Sequence, residues 1–287
     1  MKSLHDVSAP AKLNLFLHIT GRRSDGYHLM QSVFMLIDWC DTLHFELRAD
    51  GQISREDLAG ALPPEDLIVR AARALKAASG TALGVHIGVE KRIPAQAGMG
   101  GGSSDAASTL LALNRLWKLD LSLSTLSRIG LDLGADVPFF LGGHNAWVEG
   151  IGEKLTPITV PPGQFLVVKP DTGLQTALIF SDPALKRDSG TDILAGFIAD
   201  PFGFGRNDLQ SVAERLCPGV TQALDWLAER GFKGRMTGSG SAVFAPVLQH
   251  LDPEPAPSTF QVRLCSGLAV HPLVGWAGSK SLSVVGG

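Results

Sequence analysis

The sequence predicts an α+β fold, because strand-like and helix-like segments follow one another without the regular alternation of a doubly wound parallel sheet. Its 287 residues are enough for two modest domains or one large domain. A Pro-Pro-Gly break at Pro161–Gly163 separates two patterned regions and favours a boundary there. We therefore predict two domains, residues 1–160 and residues 161–287. The last dozen residues are rich in Gly and Ser and are expected to be poorly ordered.

The first strand is predicted at Ala11–Ile19. Leu13 and its odd-numbered neighbours are apolar, whereas the even positions include Lys12, Asn14 and His18. This period of two is typical of a strand with one buried face and one polar face. The same reasoning predicts further strands at Val33–Ile37, Thr42–Leu47 and Val85–Lys91, and helices at Leu67–Ala78, Ser103–Leu116 and Leu123–Leu133.

The second half continues with a strand at Phe165–Lys169. A helix is predicted at Pro218–Arg230, because its apolar residues recur at helical spacing and Gly231 follows as a stop signal. A short strand at Val243–Pro246 completes the pattern.

Composition argues against several classes of protein. The net charge is −3 and no basic block is present, so nucleic-acid binding has no electrostatic support. The sequence contains no run of about 18 apolar residues, so we predict no membrane span. Met1–Ser8 lacks the apolar core of a secretory signal. The three cysteines lie far apart without metal-ligand spacing, which is typical of reduced thiols. We expect a cytoplasmic protein without a nucleic-acid or membrane partner.

The stretch Pro94–Ala107, which reads PAQAGMGGGSSDAA, predicts a phosphate-binding loop. Glycine allows positive φ angles and a close approach of the backbone to a ligand. Ser103, Ser104 and Asp105 are typical helix N-cap residues, and a helix N-terminus attracts anions. A tight turn before an amphipathic helix is the alternative, but so many glycines would cost a mere turn too much chain entropy.

The loop does not match the common phosphate-binding motifs. No Gly-Lys precedes Ser or Thr as a Walker A loop requires, and Ser103 occupies the third glycine position of a dinucleotide fingerprint. The protein-kinase signatures are also missing.

The string instead resembles the second motif of the GHMP kinases, which include galactokinase, homoserine kinase and mevalonate kinase. Pro10–Leu15 resembles the first motif of this family and Arg235–Ala242 the third. The resemblance implies an amino-terminal domain similar to a ribosomal-protein domain, a carboxy-terminal α/β sandwich, and ATP with Mg²⁺ as cofactor. The sequence does not indicate which residues ligate the metal. The positions that the resemblance assigns to ATP are Pro94, Ala95, Gln96, Ala97, Gly98, Met99, Gly100, Gly101, Gly102, Ser103 and Ser104, together with Lys91 and Asp66, where relatives often have Asn.

Lys12 and Asp136 are the candidate catalytic residues. Taken alone, Lys12 would be read as a surface lysine and Asp136 as the N-cap of a short helix that enters Pro138. Asp136 has apolar neighbours, however, so its charge needs a reason. In the resembled family the Gly-Ala-Asp-Val-Pro segment carries the catalytic aspartate, and the early lysine pairs with it.

The segment Gly21–His28 is the candidate substrate-binding element. Tyr27 is the chain's single tyrosine and precedes His28 in a polar turn, which suits stacking on a base and hydrogen bonding to its edge. A turn with a half-buried tyrosine explains the residues equally well. The segment resembles the branch of the GHMP kinases that phosphorylates a methylerythritol carrying cytidine diphosphate, in non-mevalonate isoprenoid synthesis. That resemblance implies that Tyr27, His28 and Phe180 hold cytosine and that Asn14 contacts the erythritol arm.

Other functions remain open on these residues. They are another GHMP kinase of the homoserine or mevalonate type, an ATP-dependent decarboxylase of the same superfamily, and a non-catalytic nucleotide-binding or RNA-binding module. The net charge and the pair Lys12 and Asp136 argue against the non-catalytic module. We expect a monomer or a weak homodimer.

Overall fold

The computed structural model describes residues 1–248 and 256–278. Within them, strands and helices alternate irregularly and form two separate sheets, which confirms the α+β prediction. The elements in chain order are β1 (Ser3–Arg22), β2 (His28–Arg48), β3 (Ile53–Ala59), α1 (Leu67–Ser79), β4 (Gly84–Glu90), α2 (Gly101–Leu116), α3 (Leu123–Leu133), α4 (Val137–Gly142), β5 (Ala146–Glu149), β6 (Lys154–Pro157), β7 (Gln164–Pro170), α5 (Thr176–Ser181), α6 (Leu194–Ala199), α7 (Gln210–Leu216), α8 (Pro218–Glu229), β8 (Arg235–Met236), β9 (Val243–Pro246) and β10 (Phe260–Ser266).

The first sheet contains six strands in the order β3-β4-β2-β5-β6, with β1 paired to β2. The β3–β4 pair is parallel and the other pairs are antiparallel. Helices α1 to α4 pack their apolar residues against this sheet, in a core that includes Phe45, Leu110 and Phe139.

The second sheet contains four antiparallel strands in the order β10-β7-β9-β8. Helix α8 packs against this sheet, where its residues Val220 and Leu227 share a core with Val168 of β7. The predicted division after residue 160 falls between β6 and β7, and it stays a prediction.

The even-numbered face of β1 carries the predicted polar residues, but this face is buried as well. Residues 11–18 are all buried, including Lys12, Asn14 and His18. The reason is that the second half of the chain covers β1: the Leu17 amide donates to the Arg206 carbonyl at 2.8 Å, and the Asp208 amide donates to the Leu17 carbonyl at 2.8 Å. The polar groups of this strand therefore lie between the two halves, where burial and charge partners control their chemistry.

Several element boundaries also differ from the predictions, among them those of β1, which spans Ser3–Arg22 rather than Ala11–Ile19. The strands expected at Val33–Ile37 and Thr42–Leu47 are parts of the single long strand β2. The pairing with β1 shifts register between them, where Pro10 pairs with Cys40 and Ala11 with Ile37, but this irregularity does not end the strand. Helix α2 begins at Gly101 rather than Ser103, and its N-cap is Gly100 in the left-handed region. The two serines and Asp105 are therefore not caps and lie inside the first turns of the helix.

The chain returns to the first sheet after β10. The Leu268 amide donates to the Leu36 carbonyl at 2.8 Å, and Leu273 is buried in the core under α1 to α4. Trp276 packs against the same core, although it belongs to the dozen residues expected to be poorly ordered. Residues 279–287 of that segment lie outside the described residues.

Candidate active site

The predicted site residues meet in one large cavity of about 1270 Å³. Both halves of the chain line it. The first half contributes β1, the loop before α2 and the loop before α4, and the second half contributes α5 and the loop before β9. Ser104 is the exception: it is fully buried, and its amide donates to the Gly100 carbonyl at 2.9 Å. The predicted residues on the wall are Lys12, Asn14, Tyr27, His28, Asp66, Lys91, Pro94, Ala95, Gln96, Ala97, Gly98, Met99, Gly100, Gly101, Gly102, Ser103, Asp136 and Phe180.

The glycine loop presents backbone amides to this cavity at the start of α2. Gly98 and Gly100 have φ angles of +69° and +71°, a region in which a side chain is strained. The first amides of α2, from Gly101 to Ser103, have no acceptor within the helix, and the positive end of the helix dipole adds to their attraction for anions. This arrangement suits a phosphate.

The third GHMP-like segment lies directly against the glycine loop. A Cβ built on Gly98 would lie 2.2 Å from the Thr237 carbonyl oxygen, and one on Gly238 would lie 2.6 Å from the Gly98 carbonyl oxygen. The Ser241 amide also donates to the Gln96 carbonyl at 3.0 Å. Gly98 and Gly238 are therefore required where the backbones of the two segments are in contact. This contact places Gly238 and its neighbours on the cavity wall.

Lys12 is buried beneath the glycine loop. Its ammonium donates to the Gly98 carbonyl at 3.0 Å and to the Asn14 side-chain oxygen, and it lies 3.8 Å from Oδ2 of Asp136. It also lies 4.8 Å from the centre of the Phe34 ring. Burial lowers the pKa of Lys12 from its ordinary value, and the Asp136 carboxylate offsets part of this effect. Lys12 is thus a fixed cation in a poorly hydrated place.

Asp136 occupies the N-cap position of α4, but its side chain makes no capping hydrogen bond. Its carboxylate instead faces Lys12, and the side chain is 31% exposed, so a ligand in the cavity can reach it. The helix-cap interpretation therefore does not account for the residue. Its catalytic role stays a prediction.

Asn14 holds Lys12 in place. Its side-chain oxygen accepts from the lysine, and its Nδ2 donates to the Ser32 hydroxyl at 2.9 Å. Its backbone amide donates to the Thr237 hydroxyl at 2.9 Å, which ties β1 to the second half of the chain. The predicted contact of Asn14 with substrate remains untested.

The loop between β1 and β2 forms a further part of the cavity wall. Gly26 has a φ angle of +93° and closes the turn with a hydrogen bond from its amide to the Arg23 carbonyl at 3.0 Å. Tyr27 follows, is 60% exposed, and has its amide bonded to the Asp25 carboxylate at 3.2 Å. An exposed aromatic ring on a hydrogen-bonded turn is a ready stacking surface.

His28 and Phe180 lie side by side although the chain places them far apart. Their ring centres are 4.9 Å apart with an angle of 32° between the planes. Phe180 belongs to α5 and is partly buried: it packs against the core of the second sheet and also lines the cavity. The two halves of the chain therefore jointly form this part of the cavity wall.

The remaining two predicted ATP residues already have protein partners. Lys91 donates to Asp105 at 2.6 Å and to Asp41, and both carboxylates are buried. Burial acts to lower the pKa of Lys91, but the two carboxylates outweigh it and raise the pKa. Asp66 caps α1 through the Val69 amide at 3.1 Å and pairs with Arg55 at 2.8 Å. Their contacts with ATP stay predictions.

Sequence reasoning missed several residues that support this site. Thr237 and Ser32 hold Asn14, Asp41 holds Lys91, and Arg187 contacts His28. Asp41 had a signal, since a carboxylate directly before a predicted strand and close to Trp39 and Leu43 needs a partner. Arg187 had none, because it lies in a polar segment without any periodic pattern.

Comparison with known proteins identifies the family of this chain. The model of the GHMP kinases N terminal domain matches residues 66–144, and that of the GHMP kinases C terminal matches residues 198–267. Mevalonate kinase from L. major in complex with R-mevalonate has the same fold, with 15% identity, a TM-score of 0.66, and coverage of 93% of this chain and 97% of that one. The chain belongs to the GHMP kinases and is an ATP-dependent small-molecule kinase.

More similar proteins narrow the family. The 4-diphosphocytidyl-2-C-methyl-D-erythritol kinase of Albidiferax ferrireducens is 78% identical, over 99% of both chains, and that of Delftia acidovorans is 66% identical, over 98% of this chain and all of the relative. A crystal structure of 4-(cytidine 5'-diphospho)-2C-methyl-D-erythritol kinase is 33% identical, with a TM-score of 0.77 and coverage of 91% of this chain and 98% of that one. Within the GHMP kinases, the chain belongs to the 4-diphosphocytidyl-2-C-methyl-D-erythritol kinase family.

Proposed function

We propose that this chain transfers the γ-phosphate of ATP to the 2-hydroxyl of 4-diphosphocytidyl-2-C-methyl-D-erythritol and releases ADP. The product is an intermediate of non-mevalonate isoprenoid synthesis. The observation that carries the proposal is that one cavity contains a phosphate loop, a lysine–carboxylate pair and an aromatic turn, in a chain 78% identical to a kinase of that name.

The cavity wall offers groups suited to both substrates of the reaction. In this proposal the amides of Gly101 to Ser103 bind the triphosphate, and Tyr27, His28 and Phe180 hold cytosine. The support is that all of these residues line the same cavity. Lys12 and Asp136 line the same cavity, where the acceptor hydroxyl and the γ-phosphate must meet. A smaller acceptor such as homoserine or mevalonate would leave the aromatic residues unused.

The chemistry requires positioning, charge neutralisation and a proton acceptor. The substrate hydroxyl oxygen forms a bond to the γ-phosphorus as the bond from that phosphorus to the bridging oxygen breaks, and ADP leaves with the electron pair. The Asp136 carboxylate accepts the hydroxyl proton. Lys12 stabilises the negative charge on the transferring group, and Asn14 and the Gly98 carbonyl hold its ammonium in position.

Magnesium is proposed as the metal, because ATP carries it. Within the described residues no three His, Cys, Asp or Glu side chains converge on a metal-sized site. The Ser103 hydroxyl and the Asp136 carboxylate line the cavity and offer the oxygen ligands that Mg²⁺ prefers. Phosphate oxygens and water would supply the rest, and the bound ion would neutralise phosphate charge.

We further propose a cytoplasmic enzyme that works as a monomer or weak homodimer on a small molecule. All three cysteines are free thiols, which agrees with a reducing compartment. No helix in residues 1–248 or 256–278 is long and apolar enough to cross a membrane.

The test is ADP release with three candidate acceptors: the cytidine substrate, homoserine and mevalonate. We expect turnover with the cytidine substrate and none with the other two. Tyr27→Ala should raise the KM for the cytidine substrate by about 10- to 100-fold, because one base–aromatic stack is lost, while the KM for ATP stays unchanged. Tyr27→Phe is the matched control and should retain affinity. Equal turnover of homoserine, or an unchanged KM in Tyr27→Ala, would contradict the proposal.

A further inference from the structure

Arg187 joins the two residues that form the aromatic part of the cavity wall. Its Nε donates to Nε2 of His28 at 3.0 Å, and one Nη donates to the backbone carbonyls of Phe180 at 3.0 Å and Asp182 at 2.8 Å. The other Nη donates to the Leu185 carbonyl at 2.9 Å. Every nitrogen of the guanidinium is therefore engaged within the protein, and the group is fixed rather than free to bind a ligand.

The hydrogen bond to His28 determines which ring nitrogen carries the proton. An arginine side chain only donates, so Nε2 of His28 must be the acceptor. A neutral imidazole with an accepting Nε2 carries its proton on Nδ1. Arg187 thereby leaves His28 with a donor at Nδ1.

The surrounding charges keep this imidazole neutral. Burial lowers the pKa of His28 from its ordinary value, and the guanidinium groups of Arg187 and Arg22 lower it further. A protonated imidazole could not accept from Arg187 at all. The geometry and the local charge therefore agree on one neutral tautomer.

We propose that Arg187 is a positioning residue for cytosine recognition, which fixes His28 as an Nδ1–H donor and holds α5 so that Phe180 lies beside it. This inference rests on the proposed function. Cytosine presents acceptors at O2 and N3, and a donor at Nδ1 suits either of them. With the proton on Nε2, the Nδ1 atom would be an acceptor, which would repel O2 and N3 and could pair only with the N4 amine of cytosine.

The first test needs no variant. Nitrogen NMR of the full-length enzyme with labelled histidine should show His28 with a protonated Nδ1 and an unprotonated Nε2 at neutral pH. A protonated Nε2 in the wild-type enzyme would overturn the proposal, whatever any variant does.

The second test uses Arg187→Met, with Lys186→Gln as the matched control. Lys186 is the neighbouring cation and its side chain is 51% exposed. Its ammonium lies 3.4 Å from the Asp188 carboxylate, and the residue does not line the cavity. Arg187→Met should shift the His28 tautomer and raise the KM for the cytidine substrate by about 10- to 100-fold, as expected for one hydrogen bond to a charged group. The KM for ATP should not change, and Lys186→Gln should match wild type.

A double variant separates positioning from general support of the fold. If Arg187 acts through His28, then Arg187→Met should raise the KM for the cytidine substrate much less in the His28→Asn enzyme than in the wild-type enzyme. Fully additive losses, or an unchanged KM for the cytidine substrate in Arg187→Met, would overturn the proposal. If the wild-type enzyme fails to phosphorylate the cytidine substrate while His28 shows the Nδ1 proton, the proposed function is wrong and the recognition role falls with it.

Discussion

Replacing Lys12 by Met is the most direct test of the catalytic arrangement. The ammonium lies 3.8 Å from the Asp136 carboxylate, and at an effective dielectric constant of about 20 two unit charges at that distance interact by about 4 kcal/mol. A phosphoryl oxygen at a similar distance from the Lys12 ammonium would gain a comparable interaction. Loss of one such preorganised group typically costs about 3 to 4 kcal/mol in the barrier, or about 10²- to 10³-fold in kcat. We expect kcat to fall by that factor.

The assay is steady-state ADP release with the cytidine substrate, together with direct measurement of ATP binding. Because Lys12 also donates to the Gly98 carbonyl, the KM for ATP should rise, but by less than kcat falls. Lys154→Met is the matched control, since Lys154 is an exposed strand lysine outside the cavity. A kcat within tenfold of wild type for Lys12→Met, with ATP still bound, would refute the reasoning.

Three further predictions concern the loop, the buried ion cluster and the acid stability of the fold. Gly98→Ala should abolish tight ATP binding in a calorimetric titration, whereas Gly231→Ala, with a similar positive φ but open space around it, should cost only about 1 kcal/mol of stability and leave ATP binding intact. Lys91→Met should lower the free energy of unfolding in urea by about 3 to 5 kcal/mol, because it leaves two buried carboxylates without a cation; no change would contradict the cluster. Burial lowers the pKa of His271 to about 4 in the folded protein, so between pH 6.5 and about 4 the histidine is protonated in the unfolded chain but neutral in the folded one. The free energy of unfolding therefore falls as the pH drops through this range. His271→Asn should remove about 2 to 3 kcal/mol of that fall between pH 7.5 and 4.5, and identical pH profiles would refute the assignment.

Elements with a strong local signal could be predicted from the sequence. Helix α3 lies at Leu123–Leu133 as expected, and β9 at Val243–Pro246. The glycine loop was also found, because its composition reflects a local need for positive φ at Gly98 and Gly100. In each case neighbouring residues determine the structure.

Features that depend on distant contacts could not be predicted in this way. Lys12 looked solvent-facing because nothing in its neighbourhood shows that the segment around Asn207 packs over β1. The start of α2 was placed too late because glycine is a poor helix former, yet Gly101 and Gly102 are helical here. Arg187 acts on His28 across 159 residues of sequence, a distance that no local pattern reports.

The return of the chain after β10 has a consequence for synthesis on the ribosome. Leu273 fills the core under α1 to α4, and the Leu268 amide bonds to the Leu36 carbonyl, so the first half stays incomplete until the end of the chain emerges. At ordinary elongation rates the second half takes on the order of ten seconds to appear. During that interval the nascent first half exposes apolar surface that would later be covered, which makes it a natural client for chaperones. Stop codons placed shortly before residue 267 should therefore yield insoluble product rather than a truncated kinase.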